Sequence, residues 1–220
     1  GKAAGFDNIM TEHILLAHPA LMLHITTLFN LMLKHGYVPS AFGTGVIVPL
    51  VKDRNVPTDK LNNYRGITLS PVLSKLFELC LSDKFNQYLF SHRLQFGFKQ
   101  GSGCSSAIFV MQQVIEYYTQ RGSNVYVCAL DATKAFDYVD HTILLDKLMY
   151  RGVPPCLLAV ISNWYSKLSA VVRWNHVFSD KFKVSGGVRQ GGVLSPVLFN
   201  LYVDELIEQL EDSGNGGNLF

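Results

Sequence analysis

Four groups of residues in this sequence are suited to chemistry on phosphates. Asp131 stands at the end of six consecutive apolar residues, Val125 to Leu130. Such a run is too short for a solitary buried helix but suits a strand covered on both faces, which would deliver the carboxylate to a sheet's carboxyl edge. The competing reading of Asp131 is a cap on the next turn. Lys52 and Arg65 flank a polar stretch containing Asp53, Arg54, Asn55, Pro57 and Asp59. As a pair of cations on one hairpin they suit a triphosphate; singly they are ordinary surface charges. Ser185 to Pro196 places Arg189, Gln190 and Gly191 among four glycines before a Ser-Pro helix start. Glycines there let another backbone approach closely, and the two long side chains suit a base-pair edge, sugar or phosphate. Finally, Ser91 to Gly103 interleaves Gln95, Phe96, Gly97, Phe98 and Lys99. That loop can lie along a nucleic-acid backbone with rings free to stack, or be a packed connector whose phenylalanines fill a core.

The elements that must position these residues follow from periodicity. Gly5-Phe6-Asp7-Asn8 opens a turn, and apolar residues at Leu21, Ile25, Leu28, Leu31 and Met32 predict a helix ended by Gly36 and Pro39. Gly45 to Lys52 predicts a strand that returns through Asn62 to Leu69 as a hairpin. Ser70 as N-cap and Pro71 in the first position predict a helix with the stripe Val72, Leu73, Leu76, Phe77 and Cys80. A helix from about Ser105 to Gly122 precedes the 125–130 strand, and Asp140 caps another bearing Ile143, Leu144 and Leu148. Asp137, Asp140 and His141 are read as capping and local hydrogen bonding rather than as a metal cluster. Residues 156 to 170 predict a helix, and 170–174 with 178–184 predict paired strands around Asn175-His176. The last helix carries Leu198, Leu201, Tyr202 and Leu206. His24 and His35 lack acidic or cysteine partners at a metal-binding spacing.

At 220 residues, 48% hydrophobic and 16% charged, the chain can bury a substantial core as one large domain or two small ones. Its four cysteines form neither a Cys-x-x-Cys pair nor a dense disulfide framework, which fits a reducing, intracellular setting, cytoplasm or nucleus. Leu21 to Leu33 is interrupted by His24, Thr26, Thr27 and Asn30, so no membrane span is expected. The net charge of +2 divides into +3 for residues 1–120 and −1 for 121–220, a mildly basic half before an acidic one. Both ends read as cut from a longer protein: the N-terminus has no initiator Met, and the C-terminus stops just after Gly214-Asn215-Gly216-Gly217.

Four blocks, in order, carry a resemblance: Tyr64 to Glu78, Gln95-Phe96-Gly97-Phe98-Lys99, Leu130 to His141, and Gly187 to Asp204. Together they resemble the reverse transcriptase domain of non-LTR (LINE-like) retrotransposons across nearly the whole chain. Group II intron and retron enzymes are less similar in the first two blocks. The resemblance implies an α+β fold, a right-hand polymerase with fingers over 1–115 and an incomplete ferredoxin-like palm over 116–220, the thumb absent. It implies two Mg²⁺ ions, or Mn²⁺ in their place, on Asp131 with the carbonyl of Ala132. Two such ions about 3.5–4 Å apart activate a primer 3′-hydroxyl and balance the departing pyrophosphate. It further implies Phe136 as steric gate, Lys52, Arg65, Ala132, Phe136 and Gln190 around the dNTP, and Gln95, Phe96, Gly97, Lys99, Arg189 and Gly191 along RNA template and DNA primer. The parent is expected to carry an endonuclease domain as well.

The sequence departs from the family pattern in one consequential way. A second pair of metal-binding aspartates, in a Tyr/Phe-x-Asp-Asp hairpin, belongs after 214–217, and no Asp-Asp pair occurs in the chain. Gly66 stands where many members have Pro, and Gly192-Val193 where Cys/Ser-Pro is frequent. The fragment alone is therefore expected to be inactive. Two other readings stay open: a non-catalytic nucleic-acid-binding relic of such a domain, and a structural domain whose helices dock a partner.

Overall fold

A computed structural model describes residues 4–53, 55 and 57–214. Turn-forming Gly5 to Asn8 leads into α1 (Thr11–Leu15) and α2 (Ala20–His35), which ends where Gly36 adopts φ +58° and its N–H bonds back to the Met32 carbonyl. α3 (Ser40–Gly43) feeds β1 (Thr44–Val51), which pairs antiparallel with β2 (Tyr64–Leu69) in the expected hairpin, Val46 opposite Leu69 and Val51 opposite Tyr64. α4 (Val72–Lys84) and α5 (Cys104–Thr119) follow, then α6 (His141–Tyr150) and α7 (Pro155–Ser166). β3 (Ser169–Trp174) lies parallel to β1 and antiparallel to the short β4 (Val177–Phe178) and β5 (Phe182–Lys183). α8 (Ser195–Asp212) closes the described chain. The class is thus α+β, with one small mixed sheet whose strands come from both sides of residue 115.

The core forms where the apolar faces of α2, α4, α6, α7 and α8 meet. At its centre the Phe77 ring lies 4.8 Å from Phe29, 6.4 Å from Phe42 and 5.7 Å from Trp164, and is wholly buried. Tilted and edge-on rings at these spacings favour one arrangement over a sliding contact. α7 is tied to the end of α2 by polar bonds: Asn163 accepts the Val38 N–H at 2.9 Å, and the Lys167 ammonium reaches the Val38 carbonyl at 3.1 Å while lying over the Tyr37 ring.

Several expectations need correction. In α2 the buried face is Ile25, Phe29 and Met32, whereas Leu28 and Leu31 look outward. In α4 it is Ser74, Phe77, Glu78 and Leu81, so Cys80 is exposed. α4 also begins one residue later than expected: Pro71 holds the N-cap position, and the buried Ser70 hydroxyl caps nothing among the described residues. The largest departure is the 125–130 strand. Among the described residues no strand lies alongside this segment to complete a ladder of backbone hydrogen bonds, and it runs as an irregular extension with Tyr126 and Leu130 about nine-tenths exposed. An apolar run specifies that a segment wants cover, not where its partner is. The expected turn residues Asn215 to Gly217, like Arg54 in the hairpin loop, lie outside the described residues.

Asp140 does cap α6, accepting from the Thr142 and Ile143 N–H groups at 2.8 and 3.0 Å. Asp140→Ala is expected to lower stability by about 1 kcal/mol in urea denaturation, because two amides at the positive helix end lose their acceptor.

Candidate nucleotide and nucleic-acid site

The glycine-rich loop before α8 is where separate parts of the chain converge. The Gly187 N–H donates to the Val139 carbonyl at 2.8 Å and the Val188 N–H to the Phe136 carbonyl at 2.8 Å. His141 Nε2 lies 2.8 Å from the Gly187 carbonyl and donates to it in the Nε2–H tautomer. On the other side the Thr68 N–H of β2 donates to the Gln190 carbonyl at 2.8 Å. The loop is therefore laced to residues 136–141 and to the hairpin at once. The backbone that the glycines admit is the chain's own. At Gly187, with φ +82°, a Cβ would lie 2.8 Å from the Phe136 carbonyl oxygen. At Gly191, with φ +112°, it would lie 2.7 Å from that of Thr68.

Arg189 has a role that its residue type did not announce. Its guanidinium is mostly buried, pairs with the Glu78 carboxylate, donates to the Phe42 carbonyl at 3.1 Å and sits 5.1 Å above the Trp164 ring. The other Glu78 oxygen accepts the Val193 N–H, so both carboxylate oxygens are used. These bonds engage Arg189, expected along template and primer, in holding the loop on α4. Beside it, the Tyr165 hydroxyl is pushed to a higher pKa by burial; the nearby Arg189 charge pulls it back and Glu78 pushes it up. Its ring meets His141 edge-on at 4.8 Å.

A cavity of about 340 Å³ opens between loop and sheet, lined by Ile47, Gly66, Thr68, Asp137, Gly187 and Gln190 among others. The expected nucleotide residues do not all meet there. Successive strand residues face opposite sides, so Gly66 and Thr68 turn toward the cavity while Arg65, paired with Leu50, is exposed on the other face of the hairpin. Lys52 is exposed just beyond β1. Asp131 and Ala132 are exposed in the irregular segment and are not among the cavity's lining residues. Phe136 is half-buried, its ring 4.8 Å from Phe199 and 5.6 Å from Phe98. No group of three or more His, Cys, Asp or Glu suited to an ion occurs among the described residues. Asp131 alone does not fit a two-ion centre, which needs several carboxylates.

The second candidate loop is anchored on α8. Gln95 donates to Asn200 Oδ1 at 3.3 Å, Asn200 Nδ2 donates to the Gly97 carbonyl at 2.8 Å, and the His92 N–H donates to Asp204 at 2.9 Å. Lys99 bonds the His92 carbonyl at 2.6 Å. Phe96 lines a groove with Val110, Val114 and Tyr118 of α5 and with residues 124–128. Asp204 also takes a hydrogen bond of 2.6 Å from Arg151. At the loop's start Arg93 and His92 pair with Glu211, whose carboxyl Arg93 holds below the usual range; the Lys147 bond does the same for Glu205. Glu78, Asn200 and Asp204 escaped sequence reasoning, although all three are polar residues on inward helix faces, Glu78 four residues from the buried Ser74 and Asp204 four from the buried Asn200. A buried acid at such a spacing signals a cationic or amide partner.

With this geometry in hand, comparison with known proteins places the chain. The family described as "Reverse transcriptase (RNA-dependent DNA polymerase)" matches residues 51–216, and the chain belongs to that family. Its relatives are retrotransposon proteins of the non-LTR kind. It is 27% identical over 209 residues to the Pol polyprotein of the type-2 element R2DM of Drosophila melanogaster, covering 95% of this chain and 19% of that protein. It is 28% identical over 215 residues to the RNA-directed DNA polymerase from mobile element jockey of Drosophila funebris, covering 94% and 23%. A third relative, from the type-1 element R2 of Nasonia vitripennis, is 25% identical over 218 residues, covering 96% and 20%. The chain thus spans about a fifth of the length of these relatives. No helix among the described residues is long and apolar enough to cross a membrane.

The lacing of the glycine loop sets a clear expectation. Gly187→Ala forces a side chain into a left-handed backbone and against the Phe136 carbonyl, and should cost at least about 1–3 kcal/mol in urea denaturation.

Proposed function

We propose that the parent polypeptide copies RNA into DNA, adding dNTPs to a primer 3′ end, and that this chain contributes its fingers (residues 1–115) and part of its palm (116–220). The observation that carries the reading is the family match over residues 51–216, joined to relatives whose names include RNA-directed DNA polymerase. The way the 187–191 loop ties residues 136–141 to the β1–β2 hairpin supports it, because a templated reaction needs those three segments in fixed relation. Within the reading, Gln190 and Phe136 stand beside the incoming nucleotide, Lys52 and Arg65 approach its triphosphate by hairpin movement, and Gln95, Gly97 and Gly191 belong to the template side. Phe96 and Lys99 support that side from beneath, engaged as they are with α5 and the His92 carbonyl. Asp131 with the Ala132 carbonyl is this chain's contribution to a site for Mg²⁺ or Mn²⁺, the remaining carboxylates coming from elsewhere in the parent. RNA, primer and dNTPs are the proposed partners, an endonuclease domain the proposed neighbour, and an intracellular setting the proposed location.

A second reading, nucleic-acid binding without catalysis, is favoured by one observation: Asp131 is not brought to the cavity that holds Gln190. Primer extension on an RNA template separates the two. The parent should extend the primer, Asp131→Asn should lower the rate by at least about a hundredfold, and the 220-residue chain alone should give no product. Equal product from parent and Asp131→Asn would refute the role given to Asp131. Absence of extension together with salt-sensitive binding of primer-template would select the second reading.

A further inference from the structure

Phe98 carries three features that do not ordinarily occur together. Its backbone lies at φ +56°, a left-handed conformation that costs a bulky residue of order 1–3 kcal/mol. The residue is 61% exposed, so the strain does not serve burial in the core. And the loop that imposes this conformation is fixed from below by two deeply buried polar side chains, Asn200 on the Gly97 carbonyl and Gln95, and Asp204 on the His92 N–H. Lys99 adds its bond to the His92 carbonyl, holding the turn from the other side of Phe98. A free loop would relax the backbone and turn the ring inward. Here the anchoring over-determines the geometry, and what it produces is an aromatic ring held outward, with the Phe136 ring 5.6 Å away as its neighbour.

We infer that Phe98 is a stacking platform for an unpaired base of the template strand, and that Asn200 and Asp204 are the positioning residues that hold it in place. This deepens the polymerase reading and rests on it. A flat ring presented by a rigid loop binds any base through its π-face without reading sequence, which suits a template of arbitrary sequence. A protein partner would need a contiguous apolar patch, and Phe98 has none in its own loop: Gly97 lacks a side chain, and Lys99, Gln100 and Gly101 follow. Phe96, the other ring of the loop, is half-buried against α5 and is excluded from this role.

The test uses the parent polypeptide and a fluorescent DNA primer annealed to RNA, once with a single-stranded 5′ RNA overhang and once blunt. Phe98→Ala should raise the Kd for the overhang substrate about tenfold and leave the blunt duplex unchanged. Phe98→Tyr should bind as the parent does, whereas Phe98→Leu, which fills space without an extended π-face, should remain near Phe98→Ala. Asn200→Ala should weaken overhang binding in the same direction without changing KM for dNTP. Leu restoring affinity as fully as Tyr, or equal losses on both substrates, would overturn the inference, since either marks packing alone. Should Phe98→Ala misfold, the Tyr and Leu variants decide by themselves. The two failures are distinguishable. A parent that extends primers but is indifferent to Phe98 defeats the platform only; a parent that shows the Tyr-over-Leu pattern without extension defeats the polymerase reading only; a parent that binds neither substrate defeats both.

Discussion

The buried pair between Arg189 and Glu78 is the constraint on which the rest of the site depends. Both charges are withdrawn from water, at a cost that only complete pairing offsets. Completion is what the structure provides: Glu78 takes the guanidinium on one oxygen and the Val193 N–H on the other, while Arg189 also gives a hydrogen to the Phe42 carbonyl and rests over Trp164. The pair therefore joins α4, the short helix α3, the aromatic centre of the core and the entrance to α8. Of these, the entrance to α8 is an otherwise flexible run of glycines.

Once that run is seated, its neighbours have little freedom. Gly187 must accept the imidazole of His141 and meet the backbone at Phe136 and Val139, and Gln190 must accept the Thr68 amide. The left-handed glycines are required because backbones pass closer than a Cβ allows. α8 then extends the order further, since its Asn200 and Asp204, one turn apart, reach the 92–97 loop. Rings at Phe98, Phe136 and Phe199 run from that loop through the post-Asp131 turn to α8. In the proposed polymerase the nucleotide side and the template side would both be positioned by one helix and the turn that precedes it.

What the sequence disclosed and what it hid divide along physical lines. Locally encoded features were legible: the β1–β2 hairpin, the helix stop at Gly36, the Asp140 cap, the Ser-Pro opening of α8. These depend on backbone preferences within a few residues. Features that depend on a distant partner were not. Val125 to Leu130 has strand composition, yet pairing needs a neighbouring ladder that the described residues do not supply. The pairing of Arg189 with Glu78 was equally hidden, because guanidinium groups serve phosphates and carboxylates alike and the inward position of Glu78 is set by tertiary packing. Likewise Arg65 and Gln190 sit in matching blocks, but the two-residue alternation of β2 turns Arg65 away from the cavity. The α4 stripe failed by one position because Glu78 took an inward place that apolar periodicity would assign to another residue.

The most direct test of this account is a double-mutant cycle on the central pair, read by urea denaturation with Glu78→Gln, Arg189→Met and the two combined. If the pair seats the loop, each single change leaves a buried charge uncompensated and costs about 3–5 kcal/mol, while the combined change costs little more than either alone. Losses that simply add would contradict it, because the two side chains would then be stabilising the fold independently of each other.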